Sequence, residues 1–216
     1  MNQSLLQAAR IIKSGGIVIY PTETLYALGC LGNNSQAVDR VFHAKNRDAA
    51  KPLPLLVGSW EQFMRFALAD DAVTSIVRAF WPGPLSVLVT MKGAFPSRVM
   101  DGNKRTSIRW TPHPVAQQLC CLAEAPLVAT SANPSGQPGP ARLEDLDPGL
   151  RSRVDVVVQD QPFAGGGDPS TLIEVLAPSR VRIIRQGAIE SLQFAKQGIT
   201  VENPACSADL GHPGTP

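Results

Sequence analysis

The stretch Lys45-Asn-Arg47-Asp-Ala-Ala-Lys51-Pro-Leu53 holds three cations within seven residues and runs into an apolar segment. Cations at that density suit a phosphate or carboxylate ligand, because Arg adds a bidentate fork to the charge. At the end of a helix the same cations also complement the helix dipole. Farther along, the apolar run 126–130 empties into Ser131-Ala-Asn133-Pro-Ser135-Gly136. In open α/β sheets ligands bind just beyond the carboxyl ends of strands, where small residues let donors approach closely. Asn, Pro, Ser and Gly are also the ordinary turn formers, so the segment reads as turn or as site. Pro21-Thr22-Glu23-Thr24-Leu-Tyr26-Ala-Leu-Gly29 sets further hydroxyls at the carboxyl end of the first strand.

Several other chemistries find no support. The chain has no G-x-x-x-x-G-K-[ST] loop and no G-x-S-x-G elbow. Gly165-Gly-Gly-Asp168 lacks the context of a dinucleotide fingerprint and reads as a flexible turn. The three histidines lie far apart, and His43 and His113 are expected to be structural. The four cysteines (Cys30, Cys120, Cys121, Cys206) show no C-x-x-C spacing, which points to reduced thiols in a cytoplasmic protein and away from zinc.

Elements must hold these residues. Apolar runs predict strands at 16–20, 53–57, 85–91, 127–130, 154–158, 171–175 and 181–185. Helical periodicity predicts helices at 3–14, 35–46, 59–68, 71–80, 114–123 and within 142–152, the first burying Leu5, Leu6, Ala9 and Ile12. Ser59-x-x-Gln62 has the form of a capping box, and Asp71 is expected to cap the next helix. Phe80-Trp-Pro-Gly-Pro-Leu85 reads as a rigid structural turn. The last three strands follow one another with little helix between them, so the sheet should be mixed. After Gly187 the periodicity fades, and residues 189–216 are expected to form a poorly ordered tail.

Composition sets the outer bounds. With 216 residues, 44% of them apolar and 18% charged, the chain suits one α/β domain with a sizeable core. It holds no run long enough to span a membrane and no signal-peptide pattern at its start. A net charge of +2 does not mark a nucleic-acid binder, although Lys92, Arg98, Lys104, Arg105 and Arg109 stand close together with one acid, Asp101. That cluster is either a solvated loop or an electropositive rim or pocket for an anionic ligand.

Seven motifs occur in an order that resembles the YrdC family. They are Pro-Thr-Glu-Thr-x-Tyr-x-Leu-Gly, Lys-x-Arg…Lys-Pro-Leu, Trp-Pro-Gly-Pro-Leu, Arg109-x-x-x-His-Pro, Ser-Ala-Asn-x-Ser-Gly, Pro-Ser-Thr171 and Arg185-x-Gly187. Together they cover residues 5–188. The resemblance implies a single-domain YrdC-like fold, a twisted mixed sheet flanked by helices around a concave, positively charged cavity. It implies a nucleotidyltransferase, an L-threonylcarbamoyladenylate synthase that joins L-threonine, bicarbonate and ATP and releases pyrophosphate. The product would serve N6-threonylcarbamoyladenosine formation at position 37 of tRNA, by separate tRNA-modification proteins. Carried over by motif, Lys45, Arg47, Ser131 and Asn133 would be catalytic. Arg47, Lys51, Asn133 and Arg185 would bind ATP, while Thr24, Arg109 and Ser170 would bind threonine, with Mg²⁺ arriving on the ATP phosphates.

The chain departs from the family pattern in places. Asp48 stands where proline is common, Tyr26-Ala-Leu-Gly29 replaces Tyr-Gly-Leu-Gly, and Ser170-Thr-Leu-Ile-Glu174 replaces Ser-Thr-Val-Val-Asp. The basic stretch 102–109 is similar to YciO-like paralogues, which tend to lack the Ser-x-Asn pair kept here. Two other readings compete with the synthase. One is an RNA-binding or ribosome-associated module using the same cations. The other is the carbamoyl-transfer domain of hydrogenase maturation proteins, whose acylphosphatase and zinc-finger segments this sequence lacks. Retention of Ser131 and Asn133 favours the enzyme, since nonspecific RNA binding needs neither.

Overall fold

The computed structural model describes residues 3–46 and 52–202. Helix α1 (Gln3–Lys13) leads into a hairpin of β1 (Val18–Pro21) and β2 (Tyr26–Gly29). Next come α2 (Ser35–Lys45), β3 (Leu55–Val57), α3 (Trp60–Phe66), β4 (Ala67–Leu68), α4 (Asp71–Arg78), β5 (Leu85–Met91) and β6 (Arg105–Trp110). Then follow α5 (Pro114–Ala123), β7 (Leu127–Val128), β8 (Thr130–Ser131), a 3-10 turn (Leu143–Asp145), α6 (Pro148–Arg151) and β9 (Val156–Val157). The chain continues through β10 (Thr171–Ala177), β11 (Arg180–Arg185), α7 (Ser191–Lys196) and β12 (Thr200–Glu202).

Two sheets result. The smaller runs β8-β2-β1-β9 and the larger β12-β11-β10-β5-β6-β3-β7, with β4 pairing β5. Pairing is mixed in both, as the close-spaced strands predict. For example, β5 is antiparallel to β6 and parallel to β10. The run 127–130 does not form one strand. It splits into β7, which pairs β3, and β8, which pairs β2, so this short segment stitches the two sheets together.

Burial explains most of the elements. Helix α1 buries Leu5, Ala8, Ala9 and Ile12 against Val115, Ala116, Leu119 and Cys120 of α5, while Leu6 is only half-buried. A larger core fills the space between the sheets and α2, α3 and α4. Helix starts follow the expected chemistry with two changes. Ser59 Oγ accepts from Gln62 N, but Gln62 Oε1 accepts from Gly58 N and not from the cap residue, so only half of the capping box forms. Asp70, not Asp71, caps α4, through Val73 N at 2.8 Å.

The sequence reading placed no strand at β6. Its core-facing residues, Thr106 and Ile108, alternate with Arg105, Ser107 and Arg109, and the charge hides the alternation. The cluster 92–109 divides: Lys104 sits exposed in a turn, Arg109 lines a cavity described below, and the others are tied to neighbouring elements. Arg98 pairs with Asp39 at 2.7 Å and lies over the Phe42 ring, while Arg105 pairs with Asp101 and Glu174. Lys92 donates to Met64 O at 2.7 Å.

The tail expected from residue 189 is also corrected. Residues 189–202 are built into the fold, since β12 pairs in parallel with β11 and Phe194 of α7 is fully buried, 4.8 Å from Phe80 between ring centroids. One aromatic on a short polar helix makes too weak a periodic signal to read. Residues 203–216 lie outside the described part. Truncation of Phe194 to Ala should cost about 3–5 kcal/mol, the usual loss for a buried Phe. Urea unfolding measures it, and an unchanged midpoint would show that α7 contributes nothing to the core.

Candidate active site

A cavity of about 420 Å³ opens between the two sheets. Thr24, Tyr26 and Ala27 from the β1–β2 hairpin form one wall, with Thr130 and Ser131 of β8 beside them. Ser86 of β5, Ser107 and Arg109 of β6, and Leu172 and Arg185 of β10 and β11 form the other. Of the residues predicted from sequence, Thr24, Arg109, Ser131, Ser170 and Arg185 line this space. Arg47 and Lys51, with Asp48, lie outside the described residues.

Lys45 stands at the helix end where the sequence puts it, but is not among the residues lining the cavity. It ends α2, is 2% exposed, and its Nζ donates to the carbonyls of Ser131 and of Asn133, the latter at 2.6 Å. Ser135 N returns a bond to Lys45 O at 3.2 Å. The ammonium therefore solvates itself on the loop that carries Ser131 and Asn133. Burying such a charge is tolerable only where several oxygens surround it.

Asn133 is likewise tied into its own loop. Its Nδ2 donates to Pro134 O at 2.8 Å and Gln137 O at 2.5 Å, which closes the turn 134–137. Both amide protons are thereby engaged, and the buried Oδ1 has no hydrogen-bond partner among the described residues. What Asn133 retains toward a ligand is therefore an acceptor. The segment 131–136 is turn and wall at once: Ala132 N bonds Tyr26 O, and Ser131 faces the cavity.

At the opposite wall Arg185 donates to Ser170 O at 2.8 Å and Ser170 Oγ at 3.1 Å. Ser170 Oγ shares a 2.8 Å hydrogen bond with Ser86 Oγ. Gly187 allows this arrangement, because a Cβ there would sit 2.1 Å from Pro169 O. The arginine-x-glycine motif therefore latches the β10 and β11 ends together. Burial and, second, the charge of Arg109 depress the pKa of Arg185. Arginine titrates so high that it stays cationic all the same.

Three contacts were not read from the sequence. Glu23 pairs with Arg109, and its second oxygen accepts from Thr111 Oγ1 at 2.6 Å. Thr22 Oγ1 donates to Leu25 O at 2.7 Å and lies 3.2 Å from Thr24 Oγ1, shaping the hairpin turn. The glycine run is no free turn. Gly165 N and Gly166 N donate to Thr22 O and Thr24 O, and a Cβ on Gly165 would strike Glu23 O at 2.4 Å. The signals were present as a carboxylate inside a threonine-rich turn and as glycines needed for close approach. Their mates, however, lie more than 80 residues away. His113 is buried at the start of α5 with Nε2 against Phe163 O at 3.2 Å, and burial lowers its pKa.

Two guanidinium groups thus face one cavity with many hydroxyls around them, and one of them, Arg109, is paired behind the wall with Glu23. Among the described residues no acid pairs with Arg185. Such a wall suits a small, polar, anionic ligand held in orientation by hydrogen bonds. By fold and site this is a mixed α/β domain of small-molecule enzyme type.

The Sua5/YciO/YrdC family model, described as telomere recombination, matches residues 10–187, and the chain belongs to that family. It is 36% identical to a threonylcarbamoyl-AMP synthase of Pseudomonas fluorescens over 81% of this chain and 94% of that protein. To the Bacillus subtilis enzyme of the same name it is 31% identical, over 88% of this chain but 55% of the longer relative. The crystal structure of Pyrococcus abyssi Sua5 complexed with L-threonine superposes with a TM-score of 0.80 at 29% identity, covering 92% of this chain and 58% of that one. Escherichia coli YciO shares the fold, with a TM-score of 0.76 at 22% identity over 90% of this chain and 95% of that one. The α/β fold class expected from the motifs is the observed one.

Lys45→Met keeps the length of the side chain and removes its donors. It should leave Asn133 O without its donor, while Ser131 O keeps Asn133 N, at a cost of about 1–3 kcal/mol. Hydrogen exchange should rise first in residues 131–137, and exchange that stays at the wild-type rate there would show that Lys45 does not hold the loop.

Proposed function

We propose that this protein makes L-threonylcarbamoyl-adenylate from L-threonine, bicarbonate and ATP. The observation that carries the reading is the cavity wall in which Arg109 and Arg185 face one enclosed space alongside Ser131 and Ser170. Family membership and the relatives named threonylcarbamoyl-AMP synthase support it. The threonine amine would bond to the bicarbonate carbon with loss of water, giving a carbamate. A carbamate oxygen would then bond to the α-phosphorus as the bond to the bridging pyrophosphate oxygen breaks. In class this is nucleotidyl transfer.

In this reading Thr24, Arg109 and Ser170 hold threonine, and Arg185 meets the nucleotide with Arg47 and Lys51. Ser131 directs its hydroxyl at the reacting groups, while Lys45 and Asn133 hold the loop that presents it. The chemistry asks for fixed positive charge and donors where phosphoryl oxygens gain charge, more than for a nucleophilic side chain. The carbamate is labile, so a concave site that limits water favours its survival. Mg²⁺ would come with the ATP phosphates and offset their charge. The described residues hold no cluster of acids, histidines or cysteines to bind it, so no step is assigned to it. The adenylate would pass to separate proteins that modify tRNA in the cytoplasm. In keeping with that compartment, Cys30 and Cys120 are buried free thiols, and burial pushes the Cys30 pKa up to about 12. No helix among the described residues is long and apolar enough to cross a membrane.

The test is mass spectrometry for the adenylate, with pyrophosphate release followed in parallel. Release should require threonine and bicarbonate together. Arg185→Ala should lower kcat/KM by about 10²–10³-fold, the loss typical of one preorganised donor, and Ser131→Ala should lower it in the same direction. Folded wild-type protein that forms no adenylate across a range of Mg²⁺ would overturn the proposal. Salt-sensitive RNA binding in place of product would favour the nucleic-acid reading.

A further inference from the structure

Glu23 touches the cavity only through other residues, yet both of its carboxylate oxygens are engaged. It sits in the turn between β1 and β2, in the smaller sheet, and its partner Arg109 lies on β6 in the larger one. Both side chains are largely buried, 13% and 8% exposed. One carboxylate oxygen takes Arg109 Nη1 and the other takes Thr111 Oγ1. Thr111 is itself anchored, since Gln117 Nε2 donates to its carbonyl at 2.8 Å and its hydroxyl oxygen accepts from His113 N. The backbone around Glu23 is clamped as well, by Gly165 N on Thr22 O and Gly166 N on Thr24 O.

A guanidinium is a planar fork, so fixing one terminal nitrogen fixes the direction of the other donors. A carboxylate with both oxygens engaged cannot swing away from that nitrogen. The pair is also nearly neutral as a unit. It offers the cavity oriented donors and leaves the net positive charge to Arg185. A ligand carboxylate would therefore be recognised on the Arg109 side by direction, and a polyphosphate on the Arg185 side by charge.

We infer that Glu23, braced by Thr111, is a positioning residue that sets the orientation of Arg109 and through it the affinity for L-threonine. This rests on the synthase reading, in which Arg109 meets threonine. Glu23 makes no contact with Arg185 and is linked to it only through the charge of Arg109, so ATP recognition should change far less than threonine recognition.

L-threonine binding to the full chain is measured by calorimetry, with steady-state kinetics of adenylate formation beside it. Glu23→Gln keeps size and one acceptor but loses the charge. It should raise the Kd and KM for L-threonine about tenfold, the worth of one charge-assisted contact. The KM for ATP, and kcat at saturating threonine, should stay within about twofold of wild type. Thr111→Val, a second variant that leaves the carboxylate in place, should shift the same constants in the same direction by a smaller factor. In an Arg109→Lys background the Glu23→Gln effect should largely vanish, because the two act as a unit. Three results overturn the inference: threonine affinity unchanged in both single variants, a parallel rise in the KM for ATP, or effects that add independently in the double variant. Wild-type protein that binds no threonine and makes no adenylate overturns the synthase reading itself, and this assignment with it. Wild-type measurements thus separate the two failures.

Discussion

Lys45 ends its helix inside the protein, and a buried ammonium must find in protein oxygens the solvation it has lost in water. The carbonyls of Ser131 and Asn133 provide it. That requirement bends the chain after β8 into a loop that turns its carbonyls toward α2, leaving Ser131 on the cavity face. Arg109 obeys the same rule at the other wall, where Glu23 is its counter-charge. Each buried cation therefore does its structural work by gathering chain segments that are distant in sequence. A hydrophobic contact could bring the same segments together, but it would not dictate which atoms face which.

The two sheets make this possible by meeting at a narrow place. Residues 127–131 leave the larger sheet and enter the smaller one within a single extended stretch, pairing β3 first and β2 next. Gly29 on β2 passes so close to this stretch that a Cβ would lie 2.0 Å from Val128 O. The cavity opens beside that junction. Its polar lining comes from strand ends and short turns, the places where backbone groups are free to be claimed by side chains.

Much of this was legible in the residues. Apolar runs located most of the strands, the long helices followed their periodicity, and the ordered motifs named Thr24, Arg109, Ser131, Ser170 and Arg185, which line one cavity. What escaped has physical causes. Strand β6 carries its charges on the same alternation that buries Thr106 and Ile108, so a count of cations outweighed the period. That Lys45 also braces the loop of Ser131 and Asn133 is visible only in its hydrogen bonds, and bonds across 86 or 88 residues leave no trace in local spacing. Glu23 was visible as part of a motif, but its value depends on Thr111 and Arg109, and pairings of that kind are decided by topology.

The last strand carries a consequence of its own. β11 holds Arg185 at its end, and without β12 its outer row of amides and carbonyls would be open along its first half, where Arg180–Arg182 now pair with residues 200–202. An open edge of that kind is a template on which another chain can add a strand. By covering it, the short segment after Gly187 keeps the strand that presents a cavity arginine from becoming a docking rail. The edge of the larger sheet is in this way closed by a few residues well outside the motifs that define the family.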